Sequence, residues 1–101
     1  MPAISRDIRD LAKTGHGCTK FIGCKATQHS VLANGSAVLR PGDPLLPHTI
    51  PAYCPLRCIA HPAVVNTGST TVFAEGIPVA RLGDSADFGA LIMGSQNVFA
   101  G

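Results

Sequence analysis

The sequence predicts an all-β domain, a small pseudo-three-fold arrangement of short β-hairpins. Two observations carry that expectation: a hydrophobic hairpin pattern that is written twice and begun a third time, and a composition dominated by turn formers. Residues 31–43 read VLANGSAVLRPGD and residues 72–84 read VFAEGIPVARLGD. Val31/Val72, Ala33/Ala74, Gly35/Gly76, Val38/Val79, Arg40/Arg81, Gly42/Gly83 and Asp43/Asp84 coincide, with the turn residues in register. GSQNVFA (94–100) then repeats the lead-in GSTTVFA (68–74), and Gly101 follows. Eleven Gly and eight Pro favour turns and short strands over helices, and four Phe, one Tyr and no Trp allow only a thin core. A chain of 101 residues is expected to form a single domain over 1–101.

Each full copy reads as a hairpin. Asn34-Gly35 is a strong two-residue turn signal, because a type I′ turn needs positive φ at both positions. Glu75-Gly76 fills the same slot with poorer chemistry. Pro78 must then stand where its missing N–H is not needed. The Gly-Asp endings at 42–43 and 83–84 suit tight turns. The third copy supplies one strand and no return. A lone hairpin is marginal, so the copies are expected to bury their Val and Ala faces against one another, and any flat edge left over invites pairing with another β structure.

Between the two full copies, residues 41–62 hold six of the eight prolines, a density that forbids a helix or a central strand. This segment is expected to be an ordered Pro/His/Cys-rich loop, because it also carries His48, Cys54, Cys58 and His61. Residues 1–13 form an N-terminal arm. Ile4, Ile8 and Leu11 fit a helical stripe, and one helical turn or an extended arm both remain open. The arm has charges where a signal peptide needs an apolar run, so the expectation is synthesis in the cytoplasm and export, if any, by another machine.

Charge and motifs exclude several classes. No Lys/Arg cluster is dense enough to track phosphates, although residues 1–40 hold six of the eight cations. No stretch approaches the ~20 apolar residues that span a bilayer. No nucleophile elbow, H-E-x-x-H or evident carboxylate pair points to an enzyme. Four Cys interleave with four His, and with cytoplasmic synthesis that pattern favours a metal over disulfides. His48 and His61 bracket the proline loop, so a shared ion would clasp it. Cys58 and His61 form a C-x2-H pair of short chelate spacing, and His16 lies between two glycines in TGHGC. His16, His48, Cys58 and His61 are the expected ligands, with Cys54 and Cys18 as other sources of the fourth. The competing account is a Cys54–Cys58 or Cys18–Cys24 disulfide. His29 aligns with strand-surface positions, and Cys24 reads as a small buried hydrophobe.

IPVARLGD, the GS-x-x-V lead-ins, the early TGHGC and the Pro/His-rich loop together resemble the PAAR-repeat proteins, over most of the chain from about residue 14. The motif that names the family appears here as Pro78-Val79-Ala80-Arg81. The resemblance implies a small β cone that caps a trimeric β-helical spike, of the valine-glycine-repeat type or of a phage tail. Such a cap, one per trimer, sharpens the spike of a type VI secretion system or a contractile phage tail for membrane piercing. A structural zinc ion pins the apex, typically through three His and one Cys, and His16 matches the family's N-terminal His. The base would pair with the spike through Val31, Val72, Phe73, Val98 and Phe99, and effector cargo can attach. The family's cysteine after the second Gly-Asp is missing, since that slot reads Phe88-Gly89, so the fourth ligand must come from elsewhere. A zinc module for protein or nucleic-acid interaction is the alternative, although the two C-x2-C knuckles of a zinc ribbon are absent.

Overall fold

The computed structural model describes residues 1–53 and 56–101, so Cys54 and any pairing or ligand role for it lie outside the described residues. The chain is all-β, and the described residues contain no helix. Among the described residues the short strands run β1 (Leu11–Lys13), β2 (Phe21–Gly23), β3 (Leu32–Ala33), β4 (Ser36–Ala37), β5 (His48–Tyr53), β6 (Leu56–His61), β7 (Phe73–Ala74), β8 (Ile77–Pro78), β9 (Ser85–Ala86) and β10 (Gly89–Leu91). One antiparallel sheet has the order β2-β1-β10-β9, and the remaining strands pair as three separate hairpins.

The repeat folds as its turn residues dictate. Asn34 and Gly35 have φ of 54° and 80°, and Glu75 and Gly76 have 51° and 80°, so both hairpins turn with two consecutive left-handed residues. Registers match: Leu32 faces Ala37 as Phe73 faces Pro78. Val38 N–H donates to Val31 O at 3.1 Å, and Val79 N–H to Val72 O at 3.0 Å. Pro78 therefore occupies a non-hydrogen-bonded pair, where the ladder needs no donor.

The third copy departs from the expectation of a strand without a return. Its return comes from the N-terminal arm, which is extended and paired rather than a helical turn. Phe99 faces Ala3, Ile4 N–H donates to Val98 O at 3.0 Å, and Ala100 N–H donates to Pro2 O at 3.0 Å. Ala3, Ile4 and Ser5 are thus the counterparts of Ala37, Val38 and Leu39 and of Pro78, Val79 and Ala80. The next residue in each copy closes a ring of backbone bonds: Ser5 N–H to Ala80 O (3.1 Å), Ala80 N–H to Leu39 O (2.7 Å), and Leu39 N–H to Ser5 O (3.0 Å). Each donor bonds the preceding copy in turn, which is the signature of a pseudo-three-fold axis.

Side chains repeat the same symmetry. Gln28 Oε1, Ser69 Oγ and Ser95 Oγ accept from the N–H groups of Val31, Val72 and Val98 at 2.8, 2.9 and 3.0 Å. The carboxylates of Asp10, Asp43 and Asp84 accept from the N–H groups of Arg6, Arg40 and Arg81 at 2.9, 2.8 and 2.7 Å. Under the hairpins, Ile4, Val38 and Val79 pack with Ala33, Ala74 and Ala100. A second cluster around Leu39, Leu45, Val65, Ala80 and Leu91 continues the core along the chain's path. Both are built of aliphatic side chains, mostly Ala, Val and Leu, and all four Phe are exposed. The molecule measures 44 × 22 × 21 Å, elongated with two nearly equal short axes.

The Pro-rich segment contains a hairpin where a loop was expected. β5 and β6 pair over six residues each, from His48 opposite His61 to Tyr53 opposite Leu56. The ribbon has only two strands, so Pro51 lies on an edge and spoils no central strand.

Candidate metal centre

Three loops converge beyond the second core cluster. His48 opens β5 and His61 closes β6, so strand pairing places the two rings side by side. Asp87 sits in the turn between β9 and β10 with φ of 54°. His16 follows β1 in a loop held to that turn by Phe88 N–H donating to Thr14 O at 3.0 Å. Glycine permits this approach. A Cβ on Gly15 (φ 81°) would stand 2.3 Å from Phe88 O, and one on Gly89 only 1.9 Å from Lys13 O.

The result is one carboxylate surrounded by three imidazoles. Asp87 Oδ2 lies 2.7 Å from His16 Nε2 and 2.9 Å from His48 Nε2, and Asp87 Oδ1 lies 2.9 Å from His61 Nε2. The rings support one another, with His16 and His48 stacked at 5.4 Å and His61 edge-on to both at 4.9 and 5.2 Å. The Asp87 side chain is 2% exposed. These four residues can hold a metal ion, because one ligand atom from each lies within 4.8 Å of the others.

Donor and acceptor accounting is compatible with a cation at this position. His16 Nδ1 is 2.9 Å from Gly17 O and His48 Nδ1 is 2.9 Å from Leu46 O. A carbonyl only accepts, so both Nδ1 atoms carry hydrogen. In a neutral ring that leaves a lone pair on Nε2, aimed at a carboxylate that also only accepts. The contact is favourable only when a proton or a metal ion lies between nitrogen and oxygen. Nδ1–H bonded to a backbone carbonyl with Nε2 free is the usual orientation of a metal-binding histidine.

Burial pushes the Asp87 carboxyl up, but hydrogen bonds from His61, His48 and His16 outweigh it and hold the group below its ordinary value of 3.8. A depressed carboxyl contributes stability that is complete above the ordinary value and drains away as pH falls through the lower folded value. For the metal-free protein, the wild type should therefore lose its advantage over Asp87→Asn as pH drops below about 4, as read by denaturant unfolding at a series of pH values. A constant difference down to pH ~2 would mean that the imidazoles do not hold this carboxylate charged.

The structure brings together His16, His48 and His61 but not Cys58. Cys58 forms a disulfide with Cys18 (Cα–Cα 5.9 Å), so its sulfur is not free to ligate. The physical reason is strand periodicity: residues 58 and 61 lie on β6, and positions three apart on a strand face opposite sides. The C-x2-H spacing chelates in a loop or helical turn, not here. Asp87, which the sequence reading missed, completes the group of four, one residue before the Phe88-Gly89 pair. A carboxylate one residue before Phe88-Gly89 was the available signal. Replacing Cys58 by serine should leave metal content unchanged in metal analysis while speeding hydrogen exchange in β5 and β6; loss of metal would return Cys58 to the ligand set.

Among the described residues, Cys24 and His29 stand apart from the cluster. Cys24 is buried and unpaired, so no Cys18–Cys24 bridge forms, and burial, aided by Asp43, pushes its thiol up to about 12. His29 is exposed and outside the cluster. On the hairpins, Phe73 and Phe99 are exposed and Val72 partly so, while Val31 and Val98 pack half-buried against the core. Leu32, absent from the sequence-based set, is the third equivalent of Phe73 and Phe99 and equally exposed at 55%.

Fold and cluster together define a small pseudo-three-fold all-β protein with a candidate His3Asp metal centre. The chain matches no family model and no curated protein.

Proposed function

We propose that the protein is a PAAR-type spike tip, a structural cap for a trimeric β-helical spike in a contractile injection machine. The observation that carries this reading is the backbone ring through Ser5, Leu39 and Ala80, which gives a single chain three-fold geometry. A homotrimer presents three identical edges at its blunt end, and one asymmetric chain can satisfy all three only by imitating the axis. Leu32, Phe73 and Phe99 repeat around that axis as exposed apolar contacts, with Val31, Val72 and Val98 beside them. The partner is a spike of the valine-glycine-repeat or phage-tail type, and the tip travels with it, with or without an attached effector.

Zinc is the ion this reading assigns to the cluster. Three imidazole nitrogens and a carboxylate oxygen are within its usual ligand range, and four protein ligands make a closed, structural site. When bound, zinc cross-links three loops that have little interior to bury. Structural zinc contributes about 10–16 kcal/mol of apparent folding free energy in small peptides. The role is mechanical rather than catalytic, since Asp87 is committed to three histidines and offers no free base. The test is co-purification with the blunt end of a trimeric β-helical spike. Retention of the tip supports the reading, and failure to bind any such spike, with the fold intact, overturns it.

A further inference from the structure

The metal-bearing end has an unbalanced surface. All six carboxylates are committed or remote from it. Asp7 accepts from Ala26 N–H, Asp10 and Asp84 pair with Arg6 and Arg81, Asp43 bonds Arg40 N–H and Thr27, and Asp87 serves the histidines. Glu75 sits on the β7–β8 turn and bonds Ser30. Lys13, Lys20 and Arg57 are exposed and have no ion-pair partner among the described residues.

Exposed apolar side chains accompany these cations. Lys13 faces Phe21 across the β1–β2 pair, and Lys13, Lys20 and Phe21 line one recess with His16. Phe88, 70% exposed, lies 6.0 Å from the His16 ring and stacks on His61. Arg57 and Ile59, the latter 39% exposed, continue the His61 face of β6 by strand alternation.

We infer that this end is a peripheral binding surface for an anionic phospholipid bilayer. Charge complementarity selects the occupant, because the patch has cations and no accessible carboxylate. Basic side chains reach headgroup phosphates while aromatic and aliphatic groups enter the interface. The aliphatic Ile59 and the exposed Phe21 and Phe88 give this face an apolar character that a phosphate-tracking surface does not need. This inference goes beyond spike capping and involves none of the hairpin residues.

The test is vesicle flotation of the metal-loaded protein. Vesicles containing phosphatidylglycerol should bind at least about tenfold more tightly than pure phosphatidylcholine, with affinity falling as salt rises. The triple variant Lys13→Gln, Lys20→Gln, Arg57→Gln should lose that preference while keeping its metal content and circular dichroism spectrum. Equal binding to both vesicles, no binding, or an unaffected triple variant would overturn the inference. Displacement from vesicles by duplex DNA at equal phosphate would overturn it too, in favour of a nucleic-acid surface. Spike co-purification by the triple variant separates this outcome from failure of the capping reading, which would abolish retention of the wild type as well.

Discussion

Replacing Asp87 by alanine is expected to abolish metal binding at the candidate centre, together with the stability that a bound ion would supply. The three Nε2 atoms would converge on a site with no counter-charge, and two rings cannot turn away without breaking their Nδ1–H bonds to Gly17 O and Leu46 O. Metal affinity should fall by more than the roughly 10–100-fold that loss of an outer-sphere partner costs. If about 3 kcal/mol of metal-linked stability is lost, Tm should drop by roughly 12–24 °C for a domain of this size. Thermal melts with and without a chelator check this, since the chelator should collapse the wild type onto the variant. Asp87→Cys, which puts a thiolate in the same place, should keep the ion and the Tm. An Asp87→Ala protein with full metal content would show that the cluster is not the site.

The second large effect is on docking. On the proposed capping role, changing Leu32, Phe73 and Phe99 together to serine should abolish retention on the spike and leave the candidate metal site and melting behaviour nearly unchanged. All three side chains are about half exposed in the free protein, so their removal opens no cavity. Buried at a contact, each would contribute about 1.5–3 kcal/mol, enough in sum to remove several decades of affinity. Single changes should be milder and comparable to one another, because the three positions are equivalent about the axis. A triple variant that still caps the spike would place the contact elsewhere.

Much of the fold is legible in the sequence because turn chemistry is local. Asn34-Gly35, Glu75-Gly76 and the two Gly-Asp turns fix the register of both full hairpins, and Pro78 can occupy only the position it does. The third hairpin is hidden because its two strands stand at opposite ends of the linear sequence. Ile4, Ser5 and Arg6 echo Val79, Ala80 and Arg81, but the turn from Arg6 to Asp10 is one residue longer than its counterparts and uses Ile8 at φ 58° instead of glycine.

The candidate metal centre is three-quarters legible. His48 and His61 are found because they bracket a segment, and His16 because glycines flank it. Asp87 escapes a search limited to Cys and His. Cys58 misleads because spacing alone does not say that residues 58–61 are a strand, and a strand sends its sulfur to Cys18 on the other face.

Native mass spectrometry of the protein mixed with a trimeric β-helical spike tests the central claim most directly. The account predicts a complex of three spike chains with one tip chain, retaining one zinc ion that Asp87→Ala lacks. Three tip chains per trimer, or a tip that remains free, would contradict the proposal that this chain's pseudo-three-fold end is a cap.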